Sequence, residues 1–200
     1  MEKTKKKKIA LFIVLGAVLS LALIYCGTYH YYKKYVWMPH LPDESMIDYI
    51  DETKSRTYYY LKMEDIRYQY CISFPTLYGF TGIGCNCAFT VVSSIQYDDE
   101  HVRINENGEK EYYESPSDSK FAFTLGGRLN LKGKVELFNC IVNAIPPEEN
   151  CAAVAYFSLS PDLKLKNEDE LSEAEKNLFQ QAYPEMKTLC DNMYRIFSLE

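Results

Sequence analysis

An uncharged apolar segment near the N-terminus constrains this chain more than any other feature. Residues 9–27 contain no charged side chain, and five lysines, Lys3 and Lys5 to Lys8, precede them. About 19 residues rising ~1.5 Å each give a helix of roughly 28 Å, close to the ~30 Å hydrocarbon thickness of a bilayer. Because lipid offers the backbone no hydrogen-bond partners, we expect residues 9–27 to form a transmembrane signal-anchor helix, with the lipid bilayer as its partner.

The lysines around this segment predict its orientation. Five precede it, whereas only Lys33 and Lys34 follow it closely. The positive-inside rule therefore places residues 1–8 in the cytoplasm as a short tail and sends the C-terminal part across the membrane. Aromatic residues cluster just beyond the segment, as is typical of the headgroup region of a bilayer. They are Tyr29, Tyr31, Tyr32, Tyr35 and Trp37.

Two other interpretations of the N-terminus remain open. Ser20-Leu21-Ala22 has the small-x-small pattern of a signal-peptide cleavage site, and Cys26 stands where a lipoprotein would carry its lipid. The apolar run nevertheless continues through Tyr25, which a mature N-terminus would not need. Tyr25 is also bulkier than the small residue that a lipidation site requires before its cysteine. We therefore favour an uncleaved, single-pass anchor.

The remainder of the chain is long enough for one domain with a hydrophobic core. We expect a tyrosine-rich stalk over residues 28–42 and a single extracytoplasmic domain over residues 43–200. Five of the 22 basic residues and one of the 28 acidic residues precede Gly27, which leaves 17 basic and 27 acidic residues and a net charge of −10. A domain this acidic does not attract nucleic acid, so we predict no nucleic-acid partner.

Period-two alternation in the external region predicts β-strands. Apolar and polar residues alternate over residues 66–74, 121–125 and 128–137, and Asn107-Gly108 predicts a hairpin turn. Residues 151–159 are almost entirely apolar, so we expect a strand that is covered on both faces. Several strands joined by short turns are typical of an antiparallel sheet.

An amphipathic helix is predicted at the C-terminus. Apolar residues recur at three- and four-residue steps from Ala174 to Phe197, and Ser172 with Glu175 fits a capping box at the start. Pro184 lies inside this pattern and predicts a kink or a division of the helix. We therefore expect an α+β fold, in which one external domain has an antiparallel sheet packed by the C-terminal helix.

Six cysteines follow the anchor, in a compartment that permits disulfides. Their even number favours three bridges, although six cysteines allow 15 pairings. Within Cys85-Asn86-Cys87, two thiols one residue apart are also able to exchange disulfides or to bind a soft metal. No second Cys or His pair completes a zinc site, so we favour structural disulfides over this redox pair and predict no metal. The disulfide candidates are Cys71, Cys85, Cys87, Cys140, Cys151 and Cys190.

Two charged segments offer further candidates for ligand binding. Arg128, Lys132 and Lys134 form a basic stripe that would suit an anion or a lipid headgroup, although charges also protect exposed edge strands from aggregation. Residues 98–101 gather three acids and a histidine, but without the spaced ligands and the glycine of a calcium loop. We interpret residues 98–101 as a solvated turn.

The sequence contains no motif that points to catalysis. Among its three histidines none belongs to a His-Glu-x-x-His pattern, and neither a nucleophile elbow nor a phosphate-binding loop is present. We predict a non-enzymatic binding or assembly component of the cell envelope, with a protein partner and no cofactor. The alternative is an anchored thiol–disulfide or metal-handling protein that acts through Cys85 and Cys87.

Overall fold

A computed structural model of the chain confirms the α+β fold. It has a long N-terminal helix, a seven-stranded antiparallel sheet, a separate two-stranded ribbon and a C-terminal helix. The structure describes residues 2–63, 67–81, 87–93, 102–104, 110–112, 120–130, 132–144 and 151–199.

The large sheet is a meander in which every neighbouring pair of strands is antiparallel. The strands are β1 (Ile47–Glu52), β2 (Arg56–Leu61), β3 (Tyr68–Pro75), β4 (Ala88–Ser93), β5 (Val102–Ile104), β6 (Lys110–Tyr112), β7 (Phe121–Leu129), β8 (Val135–Ala144) and β9 (Val154–Leu159). The order in the large sheet is β1-β2-β3-β4-β7-β8-β9, and β5 pairs with β6 in a separate ribbon that lies between β4 and β7 in the sequence. That ribbon is the hairpin predicted around Asn107-Gly108, whose turn lies outside the described residues.

One face of the large sheet is buried beneath the C-terminal helix, α2 (Glu173–Ile196). This helix packs against β4, β7, β8 and β9, and its apolar stripe faces the alternate buried residues of those strands. The stripe consists of Leu178, Ala182, Met186, Leu189, Cys190 and Met193. The facing strand residues include Phe89, Val91, Leu125, Phe138, Cys140, Val142 and Phe157.

Local sequence signals set the start of α2. The Ser172 hydroxyl accepts a hydrogen bond from the Glu175 N–H at 3.3 Å, and the Glu175 carboxylate accepts one from the Ser172 N–H at 2.7 Å, which confirms the capping box. Pro184 does not divide the helix, which is continuous through it. Proline removes one backbone hydrogen bond there, while the buried stripe from Leu178 to Met193 holds both halves against the sheet.

The N-terminal helix, α1 (Glu2–Tyr32), continues into a π-helical turn (Lys33–Trp37) and a 3₁₀ turn (Met38–His40). Within the described residues, one stretch, Leu11–His40, is long and apolar enough to cross a membrane. Its position near the N-terminus is one that a signal sequence would share. The structure therefore contains a helix that is long and apolar enough to be a membrane anchor or a signal sequence.

The end of α1 joins the domain through an aromatic cluster, defined here as Tyr25, Tyr29, Tyr32, Trp37 and Phe80. The Phe80 ring lies 5.7 to 6.0 Å from each of the other four rings. Trp37 is only 1% exposed. Tyr29 and Trp37, from the segment that was expected to form a stalk, thus lie in the hydrophobic core.

His40, in the segment that follows α1, forms hydrogen bonds at the C-terminal end of α2. His40 Nδ1 lies 3.0 Å from the Phe197 carbonyl oxygen and 3.1 Å from that of Ser198, so Nδ1 carries the proton that it donates to them. Gly133, in the β7–β8 turn, lies beside this ring, since a Cβ there would stand 3.4 Å from His40 Nε2. The segment after α1 therefore contacts both the sheet and the C-terminal helix.

Two strand predictions are corrected by the structure. Residues 128–137 are not one strand, because β7 ends at Leu129 and β8 begins at Val135, with a tight turn between them. The turn needs a positive φ, which Gly133 supplies at 79°. The apolar segment ending at Leu159 is not covered on both faces: β9 is an edge strand, and its outer face is exposed at Val154 and Tyr156.

Candidate functional site

The sheet face that points away from α2 carries a continuous row of exposed side chains. Val92, Thr124, Ile141 and Tyr156 are successive cross-strand partners on β4, β7, β8 and β9. We call these four residues the apolar row. Val92, Ile141 and Tyr156 are 40%, 39% and 51% exposed, although Ile141 and Tyr156 each lie between two buried residues of their strand and Val92 follows buried Val91. The row therefore presents apolar surface on hydrogen-bonded strands of the sheet.

A shallow hollow of about 350 Å³ adjoins the apolar row. Gly126 on β7 lines this hollow and pairs with Thr90 on one side and Asn139 on the other. A Cβ at Gly126 would lie 3.3 Å from Thr90 Oγ1, so a side chain there would crowd Thr90 and narrow the hollow. It is lined by Ala88, Thr90, Thr124, Gly126, Gly127, Arg128, Asn139, Ile141 and Tyr156.

Polar groups around the hollow are held by neighbouring side chains. The Tyr156 hydroxyl donates a hydrogen bond to Asn139 Oδ1 at 2.7 Å. Arg128 Nε lies 3.1 Å from Glu136 Oε2, an exposed ion pair worth little stability in water. The residues lining the hollow include no carboxylate, imidazole or thiol. The hollow thus offers apolar contact and hydrogen bonding, and its lining provides no general base for acid–base chemistry.

The edge of the sheet beside this face is closed to strand addition over part of its length. On β9 the Ser158 N–H donates to Asn167 Oδ1 at 3.0 Å, and the Ser158 carbonyl accepts from the Lys166 N–H at 2.8 Å. Asn167 Nδ2 also donates to the Tyr156 carbonyl at 3.3 Å. Segment 166–167 therefore occupies the hydrogen-bonding groups that an added strand would use. A partner in this region would contact the face of the sheet.

The structure corrects the prediction of three disulfides. Five of the six candidates lie among the described residues, and all five are free thiols: Cys71, Cys87, Cys140, Cys151 and Cys190. Cys26 in α1 is free as well, and Cys85 lies outside the described residues. Three of these cysteines are buried and fill core positions as small apolar side chains, which accounts for their positions without any bridge.

Burial also makes several of these thiols poor nucleophiles. It raises the pKa of Cys71 to about 11 and the pKa of Cys140 and of Cys190 to about 12. The Cys87 thiol is fully buried just before β4, and burial raises its pKa as well. Because the thiolate is the reactive form, Cys87 is a weak candidate for disulfide exchange.

The basic stripe is divided by the turn between β7 and β8. Arg128 lies on β7 and pairs with Glu136, whereas Lys132 and Lys134 are exposed in the turn. Both strands are interior to the sheet, so the edge-strand explanation of these charges does not apply. Residues 98–101 lie outside the described residues, and the described residues contain no cluster of three or more metal-ligating side chains.

Sequence reasoning missed the apolar row. A partial signal was present in β9, whose residues are apolar on both faces although only one face is buried. Comparison with known proteins adds no assignment, since no family model, no curated protein and no solved structure matches this chain.

Proposed function

We propose that this chain is a single-pass membrane protein whose extracytoplasmic domain is a non-enzymatic binding or assembly component of the cell envelope. In this proposal residues 9–27 cross the membrane with the N-terminus in the cytoplasm, and the apolar row binds a partner protein. The charge pattern of the first 34 residues supports the orientation.

The observation that carries the binding proposal is the exposure of the apolar row on an ordered sheet. A row of Val, Ile and Tyr beside a hollow, bordered by Asn139 and Arg128, has the composition of a protein interface: apolar and aromatic in the middle, polar at the rim. The area around Tyr156 extends to Val154, which is 56% exposed on the same face of β9. Contiguous apolar surface of this kind is typical of interaction sites.

The packing of α1 supports an anchor that is retained. The helix runs unbroken from Glu2 to Tyr32, and Tyr25 and Tyr29 at its end contact Phe80 of the domain. Cleavage after Ala22 would leave Tyr25 near a new N-terminus, where the fraying of a helix end would weaken these contacts. An intact helix keeps the aromatic cluster in place.

Site-specific photo-crosslinking in the cells that express the protein tests the binding proposal. A benzophenone amino acid at Tyr156 should form one discrete protein adduct, and the same probe at Gln181, exposed on α2, should not. Thr124→Arg should abolish the adduct because a cation would stand in the middle of the apolar row, whereas Gln181→Arg should leave it intact. Equal adducts at both positions, or an adduct that survives Thr124→Arg, would contradict the proposal.

The thiol–disulfide or metal-handling alternative has weaker support. It requires two accessible thiols at Cys85 and Cys87, and Cys87 is fully buried with a raised pKa. Alkylation of the native protein distinguishes the two functions. Rapid modification of Cys87 without unfolding would favour the alternative.

A further inference from the structure

The loop at residues 76–81, which follows β3, contacts the C-terminal end of the apolar segment. Tyr25 is part of residues 9–27, and its hydroxyl lies 2.6 Å from the Leu77 carbonyl oxygen and 2.5 Å from that of Phe80. Only two residues separate Tyr25 from the end of that segment, a rise of roughly 3 Å along a helix. The loop therefore meets α1 within the depth expected for the bilayer boundary.

This loop has the composition of a segment that rests in the headgroup region. Residues 76–81 contain no charged side chain, in a domain that is otherwise acidic. Tyr78 points away from the protein and, at 82%, is the most exposed large apolar side chain among the described residues. An amphipathic ring at this depth places its apolar body in lipid and its hydroxyl in the wet interface.

The loop is also held rigidly, so that Tyr78 is presented in one direction. The Thr76 N–H donates to the Ser55 carbonyl at 2.9 Å, and the Thr76 hydroxyl donates to the Lys54 carbonyl at 2.7 Å. At Gly79 a Cβ would lie 1.9 Å from the Ser55 carbonyl oxygen, so only glycine permits this close approach to the β1–β2 turn. The turn between β1 and β2 thus supports the loop from the domain side.

We infer that the loop at residues 76–81 is a second membrane contact, in which the Tyr78 ring enters the lipid headgroup region. The inference rests on the proposed anchor, because the depth of Tyr25 is measured from it. Together, α1 and the loop hold the domain at two points on the bilayer surface. Two contacts fix the orientation of the domain, which one helix followed by a flexible stalk would leave free.

Fluorescence quenching by labelled lipids tests this contact. The full-length Tyr78→Trp variant is reconstituted into phosphatidylcholine vesicles that contain a nitroxide near the headgroup, and the emission of the wild-type protein, due to the buried Trp37, is subtracted. We expect the emission added at Tyr78 to be blue-shifted, strongly quenched by the lipid nitroxide and protected from aqueous iodide. Tyr156→Trp, on the open sheet face, is the matched control and should show the reverse pattern.

Each failure has a separate meaning. Tyr78→Trp emission that matches the Tyr156→Trp control, in protein that floats with the vesicles, would overturn the loop contact and leave the anchor intact. Protein that does not float with the vesicles would overturn the anchor, and the loop contact with it.

Discussion

Phe80 stands at the centre of the aromatic cluster, and its truncation should release the N-terminal segment before the sheet unfolds. The ring is 2% exposed and contacts Tyr25, Tyr29, Tyr32 and Trp37. Removing a buried Phe side chain costs about 3–5 kcal/mol. With a urea m-value of about 2 kcal/mol/M, that loss lowers the midpoint for this region by roughly 1.5–2.5 M.

Trp37 makes the loss measurable, because it is the only tryptophan in the chain and lies within the cluster. In detergent micelles, Phe80→Ala should shift the Trp37 emission to the red at lower urea than the far-UV signal of the sheet changes. Phe157→Ala is the matched control: its ring is fully buried 5.1 Å from Phe179 of α2, so both signals should move together. The urea midpoint reported by Trp37 emission should be compared between the wild type and Phe80→Ala. A decrease of less than about 0.5 M would show that the aromatic cluster does not hold α1 against the domain, and would refute this reasoning.

Three further predictions concern single residues. Ser172→Ala should lower the free energy of unfolding by ~1 kcal/mol through loss of the capping box, and Ser172→Asp, which also caps helices, should restore most of it in urea titrations. Gly79→Ala should destabilise the domain by about 1–3 kcal/mol because its Cβ meets the Ser55 carbonyl, whereas Gly27→Ala, with open space around it, should not. At pH 8 the Cys71 thiol, with its pKa raised from 9.0 to about 11, should be alkylated about 100-fold more slowly than an ordinary thiol. The raised pKa also means that its contribution to stability is present below pH 9 and is lost as the pH rises through about 11, which thermal melts between pH 8 and 11 would detect.

The elements that were predicted from sequence are those whose signals are local. The capping box at Ser172 and Glu175 needs only four residues, and the apolar stripe of α2 needs only the helical period. Strands such as β3 and β7 alternate because one face lies in the hydrophobic core and the other is more exposed. The α+β fold could be predicted because, in the region after the apolar segment, the hydrophobic pattern changes from the period of a strand to the period of a helix near Ser172.

The features that escaped prediction depend on contacts between distant segments. Residue types in β9 show that both faces are apolar, but only the packing of the whole sheet shows that Tyr156 is left exposed. The alternation over residues 128–137 is the same for one strand and for two strands joined by a turn, and Asn130 and Gly133 were the local signs of the turn. Likewise, Trp37 is buried partly by Phe74 and Phe80, which lie more than thirty-five residues away in the sequence.

The joint between α1 and the domain bears directly on the proposed assembly role. A helix end that is packed into a core cannot rotate independently of the domain. Successive side chains of a helix are about 100° apart, so a rotation of that size would move Tyr29 away from its contact with Trp37. The apolar row is therefore held at a set height and direction relative to the helix. A partner anchored in the same membrane would then meet this face at high effective concentration, so that even a modest interface would be sufficient for stable association. Under this proposal, the rigid joint and the exposed sheet face act together.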